Sequence, residues 1–229
     1  MCRRLALVLP LLFVAAPALA QPTVRAVGTI SSAAAATCAP GLPSGNTAGD
    51  LLLMFCESAG GETCSASGWS QLPTCSPSVN GSGTAGTRLT VLYKTAVGGD
   101  ATTTNNPGDH CIARIVGITT GTYDTGTPFN ICTSNQQAAT GSVSISGTTT
   151  TVGNTLVVVA STGDVDPASN GTAEWSGWAN ANLTSITEQI DNSRTSGNGG
   201  QLGVATGIAA AIGNYGATTV TAATSTSFA

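Results

Sequence analysis

Short runs of strand-forming residues recur along this chain at close intervals, separated by glycine, proline, asparagine and aspartate. That rhythm restricts it to an all-β fold. The runs are Val24 to Ile30, Leu51 to Cys56, Trp69 to Leu72, Thr87 to Thr95, Cys111 to Ile118, Ser142 to Ser146, Thr155 to Ala160, Leu183 to Ile190, Leu202 to Ile212 and Thr218 to Ala223. Leu51 to Cys56 and Thr155 to Ala160 are apolar throughout, as strands covered on both faces would be. Thr87 to Thr95 alternates, with Leu89, Val91 and Tyr93 on one side and Arg88, Thr90 and Lys94 on the other, which predicts one wet face. Asn80-Gly81, Gly98-Gly99-Asp100, Asn105-Asn106-Pro107-Gly108 and Asn170-Gly171 carry tight-turn chemistry. Only Gly207 to Ile212 offers helix propensity, and its glycines weaken it. Ten strands around one core predict a two-sheet antiparallel β-sandwich, jelly-roll-like, over residues 21–229. A β-helix ranks lower, because no fixed short period is present.

The N-terminus reads as a secretory signal peptide, residues 1–20. Arg3 and Arg4 form a basic start, Leu5 to Ala16 is apolar, Pro17 breaks it, and Ala18-Leu19-Ala20 supplies a small-x-small cleavage pattern. The apolar run is too short to span a bilayer, which takes roughly 20 residues. The expected location is secreted, periplasmic or cell-surface, with no membrane span after cleavage.

Export changes how the cysteines read. Cys2 leaves with the signal peptide, and Cys38, Cys56, Cys64, Cys75, Cys111 and Cys132 remain. An even number in an exported chain predicts three disulfides. The preferred single pairing is Cys64 with Cys75, closing a short loop around Gly68-Trp69. Zinc wants close cysteine pairs or several histidines, and neither is present, since His110 stands alone.

Charge excludes another class. Beyond the signal peptide, Arg25, Arg88, Lys94, Arg114 and Arg194 face 11 acidic residues, a formal net charge of −6. Five scattered cations do not make a nucleic-acid interface.

No catalytic motif stands out. His110 beside Asp109 could belong to a triad, but no Gly-x-Ser-x-Gly elbow presents a serine, and a polar pair at a strand start is the simpler reading. Glu57 with Glu62, Asp164 with Asp166, and Glu174 with Glu188 are carboxylate pairs that could act on a glycosidic bond, yet each reads equally as solvated acids. Asp164-Val165-Asp166-Pro167 with Asn170 is only part of a calcium loop. No cofactor or metal is indicated. Trp175 and Trp178, with Glu174 and Asn180, form the one candidate ligand patch: indoles stack on sugar rings while amides and acids bond to hydroxyls. Three residues apart on a strand they face opposite sides, so only a loop or bulge would align them. Core packing is the simpler expectation for both, and for Trp69.

One resemblance runs along the chain. Ala48-Gly49-Asp50-Leu51-Leu52-Leu53 is followed by Ser67-Gly68-Trp69, Gly86-Thr87-Arg88-Leu89-Thr90-Val91, Gly108-Asp109-His110 with Arg114-Ile115, Gly126-Thr127-Pro128-Phe129, Asn154-Thr155-Leu156-Val157-Val158, and Gly199-Gly200-Gln201-Leu202-Gly203-Val204-Ala205. This order resembles the β-sandwich modules of phage virion and tail-associated proteins and of bacterial exported proteins. The resemblance covers nearly all of residues 22–224 and implies a structural or surface module rather than an enzyme. Such modules lack most of these cysteines. They also close with one further apolar strand after the Thr/Ala/Ser stretch, so the resemblance implies a sheet edge left open here unless the N-terminal segment or a partner fills it. A carbohydrate-binding module is the first alternative, and a secreted hydrolase the second.

Overall fold

The computed structural model describes residues 20–59, 62–72, 78–80, 86–105, 110–138, 141–164, 167, 169–195, 199–222 and 227–228. The signal-peptide reading, Cys75, Asp109 and Asp166 lie outside them. In chain order the strands are β1 (Val24–Val27), β2 (Ser31–Ala33), β3 (Leu51–Ala59), β4 (Ser65–Ala66), β5 (Ser70–Gln71), β6 (Ser78–Asn80), β7 (Thr87–Thr95), β8 (Thr104–Asn105), β9 (Cys111–Ile118) and β10 (Gln137–Ala138). They continue with β11 (Ser142–Ile145), β12 (Thr149–Thr150), β13 (Thr155–Gly163), β14 (Trp175–Ala179), β15 (Thr184–Arg194), β16 (Gly200–Ala209), β17 (Gly213–Asn214), β18 (Thr218–Ala222) and β19 (Ser227–Phe228). No helix occurs among the described residues.

The molecule is an antiparallel all-β sandwich. Sheet I runs β1-β9-β3-β7-β5, with β2 also on β9 and β6 on β7. Sheet II runs β10-β19-β13-β16-β15. The first half of the chain builds sheet I and the second half builds sheet II. Their facing sides share one core, in which Leu51, Leu53 and Phe55 of β3 and Ile112 and Val116 of β9 meet Ile190 of β15 and Leu202 and Val204 of β16. A smaller sheet III, β11-β18-β14, covers the far side of sheet II. There Val157 and Val159 of β13 pack with Ile145 and Trp178.

The outer side of sheet I is also covered, and this accounts for the cysteines. Even-numbered residues of β3 point away from the sandwich core. Leu52 and Met54 are buried with Leu92, Ile115, Leu42 and Trp69, and Cys56 lies with Cys38, Cys64, Cys111 and Ala113. Thr90 and Leu92 are buried too, so β7 has no wet face. The alternation expected to mark solvent marks a second interior, built by loops tied down with disulfides.

Cys38 pairs with Cys111, and Cys56 with Cys64. The second bond corrects the expected Cys64–Cys75 pairing. Cys56 projects from β3 onto the outer side, and the chain returns over it, with the Cys64 amide donating to Thr90 Oγ1. Cys64 is thereby brought to Cys56, eight residues away. Cys132 is disulfide-bonded as well. Such bonds belong to an oxidising compartment. Among the described residues no helix is long and apolar enough to cross a membrane.

Candidate functional site

The tryptophan patch is drawn together by a bulge. Ser176 pairs with Thr221 and Ala179 with Thr219, a one-residue slip in β14, where Gly177 has φ +67°. A glycine accepts that left-handed conformation without a Cβ clash. The slip brings Trp175 and Trp178 to one side of the strand, with ring centroids 6.1 Å apart and planes 31° apart. That side faces sheet II. Trp175 is 3% exposed and meets Phe228 edge-on at 5.7 Å. Trp178 is half-buried, and its indole N–H donates to Glu188 Oε2 at 2.9 Å.

The polar residues of the patch are mostly committed to the fold. Asn180 Nδ2 donates to the carbonyls of Gly216 and Ala217 and to Thr218 Oγ1, fixing the start of β18. Asp191 accepts the backbone N–H groups of Glu174 and Trp175. Burial raises the Glu174 carboxyl above its usual range, and the neighbouring Asp191 adds to that. Burial raises Glu188 also, against the indole bond that lowers it. Asn170 accepts from the Thr195 amide and hydroxyl, which is turn work rather than ion ligation. Among the described residues no three His, Cys, Asp or Glu side chains are placed to hold a metal.

Among the described residues, His110 meets Glu57 of β3. Glu57 continues the inward phase of Leu51, Leu53 and Phe55, so its carboxylate enters the sandwich. Glu57 Oε1 lies 3.2 Å from His110 Nε2 and accepts from Thr87 Oγ1 at 2.9 Å. The two are 0% and 2% exposed. Burial raises Glu57 above its usual range, with His110 and Thr87 opposing and Asp164 reinforcing. The pair is separated by 53 residues and carries no sequence motif. Sealed from solvent in this way, it serves as a polar plug at one end of the core.

The two sides of the sandwich are unlike. On the β9/β15 side, Arg114 bridges the sheets, donating to the Gly28 carbonyl at 2.8 Å and to Asn192 Oδ1 at 3.0 Å. Arg194 makes a second tie to Ser32. On the β7/β13 side the sheets part around a cavity of about 870 Å³. Leu53, Phe55, Leu89 and Val91 line it from sheet I, Leu156, Val158 and Ala160 from β13, and Val143 and Ile145 from sheet III. Leu156, Val158 and Ala160 point toward the sandwich core yet are only half-buried, whereas Val157 and Val159, pointing toward sheet III, are buried.

β13 pairs along its whole length with β16, but on its other edge the only pairing among the described residues is Gly163 with Phe228. β10 pairs outside β19, Gln137 with Phe228. The segment leading into β10 begins beside the other end of β13, where Asn130 Oδ1 accepts the Thr151 amide at 2.9 Å. Residues 130–135 and Gln137 line the same cavity as Leu156, Val158 and Ala160 of β13, which makes it a slot between the two segments. This slot, which no motif announced, is the main candidate site. Its only sequence trace is the wholly apolar run at Thr155 to Ala160, which promises cover on both faces.

No family model, curated protein or solved structure matches the chain.

Proposed function

We propose that this chain is an exported, non-enzymatic structural module of a cell surface or virion-like particle, joined to its neighbours through the β7/β13 side of the sandwich. The observation that carries this reading is the apolar cavity on the β7/β13 side, where among the described residues the outer edge of β13 pairs with β19 at Gly163, since a strand edge is a site for pairing with another chain. The disulfides add support, because they stabilise a fold that works outside the reducing cytoplasm. The polar clusters give no comparable support to catalysis: Glu57 and His110 are sealed, and Asp191 is occupied by backbone amides.

The test is expression with the native N-terminus in a bacterial host, followed by cell fractionation and chemical crosslinking. The expected result is recovery outside the cytoplasm, crosslinked into a defined surface or particle assembly. Recovery only as a free monomer, with no crosslinked partner, would overturn the reading.

Carbohydrate binding is the second reading, favoured by one observation: Trp178 is half-exposed beside Glu188, so an indole and a carboxylate meet at the surface. Saturable glycan-array binding abolished by Trp178→Ala would establish it, and a blank array from folded protein would remove it.

A further inference from the structure

We infer that the corner where β14 meets the bulge of β15 binds a primary ammonium group, taken up by Glu174 and Glu188 beside the half-exposed Trp178. This inference stands apart from the assembly reading and names the chemistry of a small ligand.

Two bulges build the corner. Residues directly opposite in an antiparallel pair point to the same face. Glu188 pairs with Ala205 and Asp191 with Gly203, so a step of three residues on β15 matches a step of two on β16. The extra residue puts both carboxyls on one side of sheet II. It is the side on which Trp175 lies against Gly203. The slip at Gly177 brings Trp178 there from β14, and its indole N–H reaches Glu188 Oε2 at 2.9 Å. Glu174, the residue before β14, joins them, its amide donating to Asp191 Oδ1 at 2.8 Å.

The charge of this corner is uncompensated. Every lysine and arginine beyond Arg4 lies among the described residues. Arg25 pairs with Asp50 and Lys94 with Asp100, Arg88 reaches Thr63, Arg114 reaches Gly28 and Asn192, and Arg194 reaches Ser32. Among the described residues none pairs with Glu174, Glu188 or Asp191. β14, β16 and β18 carry no charged side chain. Burial raises all three carboxyls, and Asp191 raises the other two further. A bound cation offsets both effects.

The Glu174 carboxyl sets the kind of cation. It is 6% exposed and close enough to Asp191 for that charge to raise it, yet among the described residues no group donates to it. A buried acceptor left without a donor is costly, so the ligand that fits brings N–H groups together with its charge. A primary ammonium has three such donors and a quaternary one has none. Asp191 accepts two backbone amides and Glu188 one indole N–H, which leaves Glu174 and the second oxygen of Glu188 to take the ammonium. The indole adds the attraction of an aromatic ring for a cation. The three acids are not placed as a metal cage.

The experiment uses the exported protein with its disulfides intact, titrated by calorimetry and tryptophan fluorescence. The probes are the glucosamine trimer and Nα-acetyl-lysine methylamide. Each has its amine-acetylated counterpart as a neutral control, and the lysine probe also has an Nε-trimethylated form, charged but without N–H. The expected result is saturable binding of at least one primary amine, with binding of the acetylated and trimethylated forms weaker by about tenfold or more. Binding of the lysine probe places the ammonium on a peptide side chain, and binding of the amino sugar alone places it on a glycan; either bears the site out. Glu174→Gln keeps the volume and removes the charge, and is expected to weaken binding about tenfold. If that variant is unfolded by circular dichroism, Glu188→Gln replaces it, with an amide oxygen retained for the indole. Absent binding of both amines, equal binding of the acetylated or trimethylated forms, or unchanged affinity in a folded variant overturns the proposal. Displacement of the amine by an equal concentration of calcium chloride would also overturn it, since the corner would then be a divalent-cation site.

Discussion

A β-carbon built on Gly203 would lie 2.7 Å from Cγ of Trp175, closer than any real side chain approaches. The Trp175 indole therefore lies flat on the backbone of β16, and Gly203 is required at that point of the strand. Gly203→Ala should destabilise the fold by about 1–3 kcal/mol through overpacking. Trp175→Leu introduced alongside it should return part of that loss, because the clash partner is gone. Urea titration of the two single variants and the double variant measures the coupling. Strict additivity would mean the indole does not sit on that glycine.

The same contact separates the two tryptophans of the candidate ligand patch. Trp175→Ala leaves a cavity among Val143, Val220 and Phe228. It should cost about 3–5 kcal/mol, the usual range for a buried large aromatic. Trp178→Ala should cost clearly less, since the ring is half-exposed and its one polar bond is to Glu188 near the surface. Equal losses in denaturant midpoint would show that Trp178 is a core anchor also and would weaken its case as a ligand contact.

How far these features could be read from sequence depends on how local they are. All ten strand runs are present, and Thr87–Thr95 and Cys111–Ile118 agree end to end, because turn residues and apolar runs are local properties. β14 was not among them. Its Trp-Ser-Gly-Trp-Ala sequence breaks the period of two at Gly177, where the bulge restores a common face only once β18 is paired. The outer cover of sheet I was misread for a related reason. Alternation in β7 shows that its faces differ, but Lys94 and Arg88 do not reveal that Thr90 and Leu92 between them are roofed by loops. The Glu57–His110 pair and the slot join segments far apart in the chain, and no spacing rule reaches them.

The two described disulfides should contribute unequally. Cys38–Cys111 closes a loop of 73 residues and Cys56–Cys64 one of 8. On the chain-entropy account the first restrains the unfolded chain by about 4 kcal/mol and the second by about 2.5 kcal/mol. Replacing both cysteines of one bond by serine, and comparing urea midpoints, tests the order. The loss on removing Cys38–Cys111 should be the larger. The reverse order would mean that Cys56–Cys64 acts chiefly by holding the native cover over Cys111 and Ala113, where it is buried.

Stability should respond to pH through groups of opposite sign. Burial raises the Glu57 carboxyl above its ordinary 4.5, so the folded state holds a proton there that the unfolded chain gives up more readily. Its stabilising contribution is complete below about pH 4.5 and is lost as pH rises through the elevated folded value. Asp50 and Asp100 behave in the opposite way. Burial works against their charge, but the bonds of Asp50 with Arg25 and the amides of Thr47 and Thr120 outweigh it, as do those of Asp100 with Lys94 and the amides of Val97 and Gly98. Both carboxyls are held below 3.8, so their contribution is present above that value and lost as pH falls through the folded one. Urea midpoints taken from pH 3 to pH 8 separate the two effects. Glu57→Gln keeps the volume and an acceptor for Thr87, and should flatten the decline on the neutral side while leaving the acid side unchanged. Asp50→Asn should lower stability at neutral pH and make the acid-side loss shallower. Parallel profiles for the wild type and Glu57→Gln would mean that Glu57 titrates alike in the folded and unfolded chain, which its burial against His110 argues against.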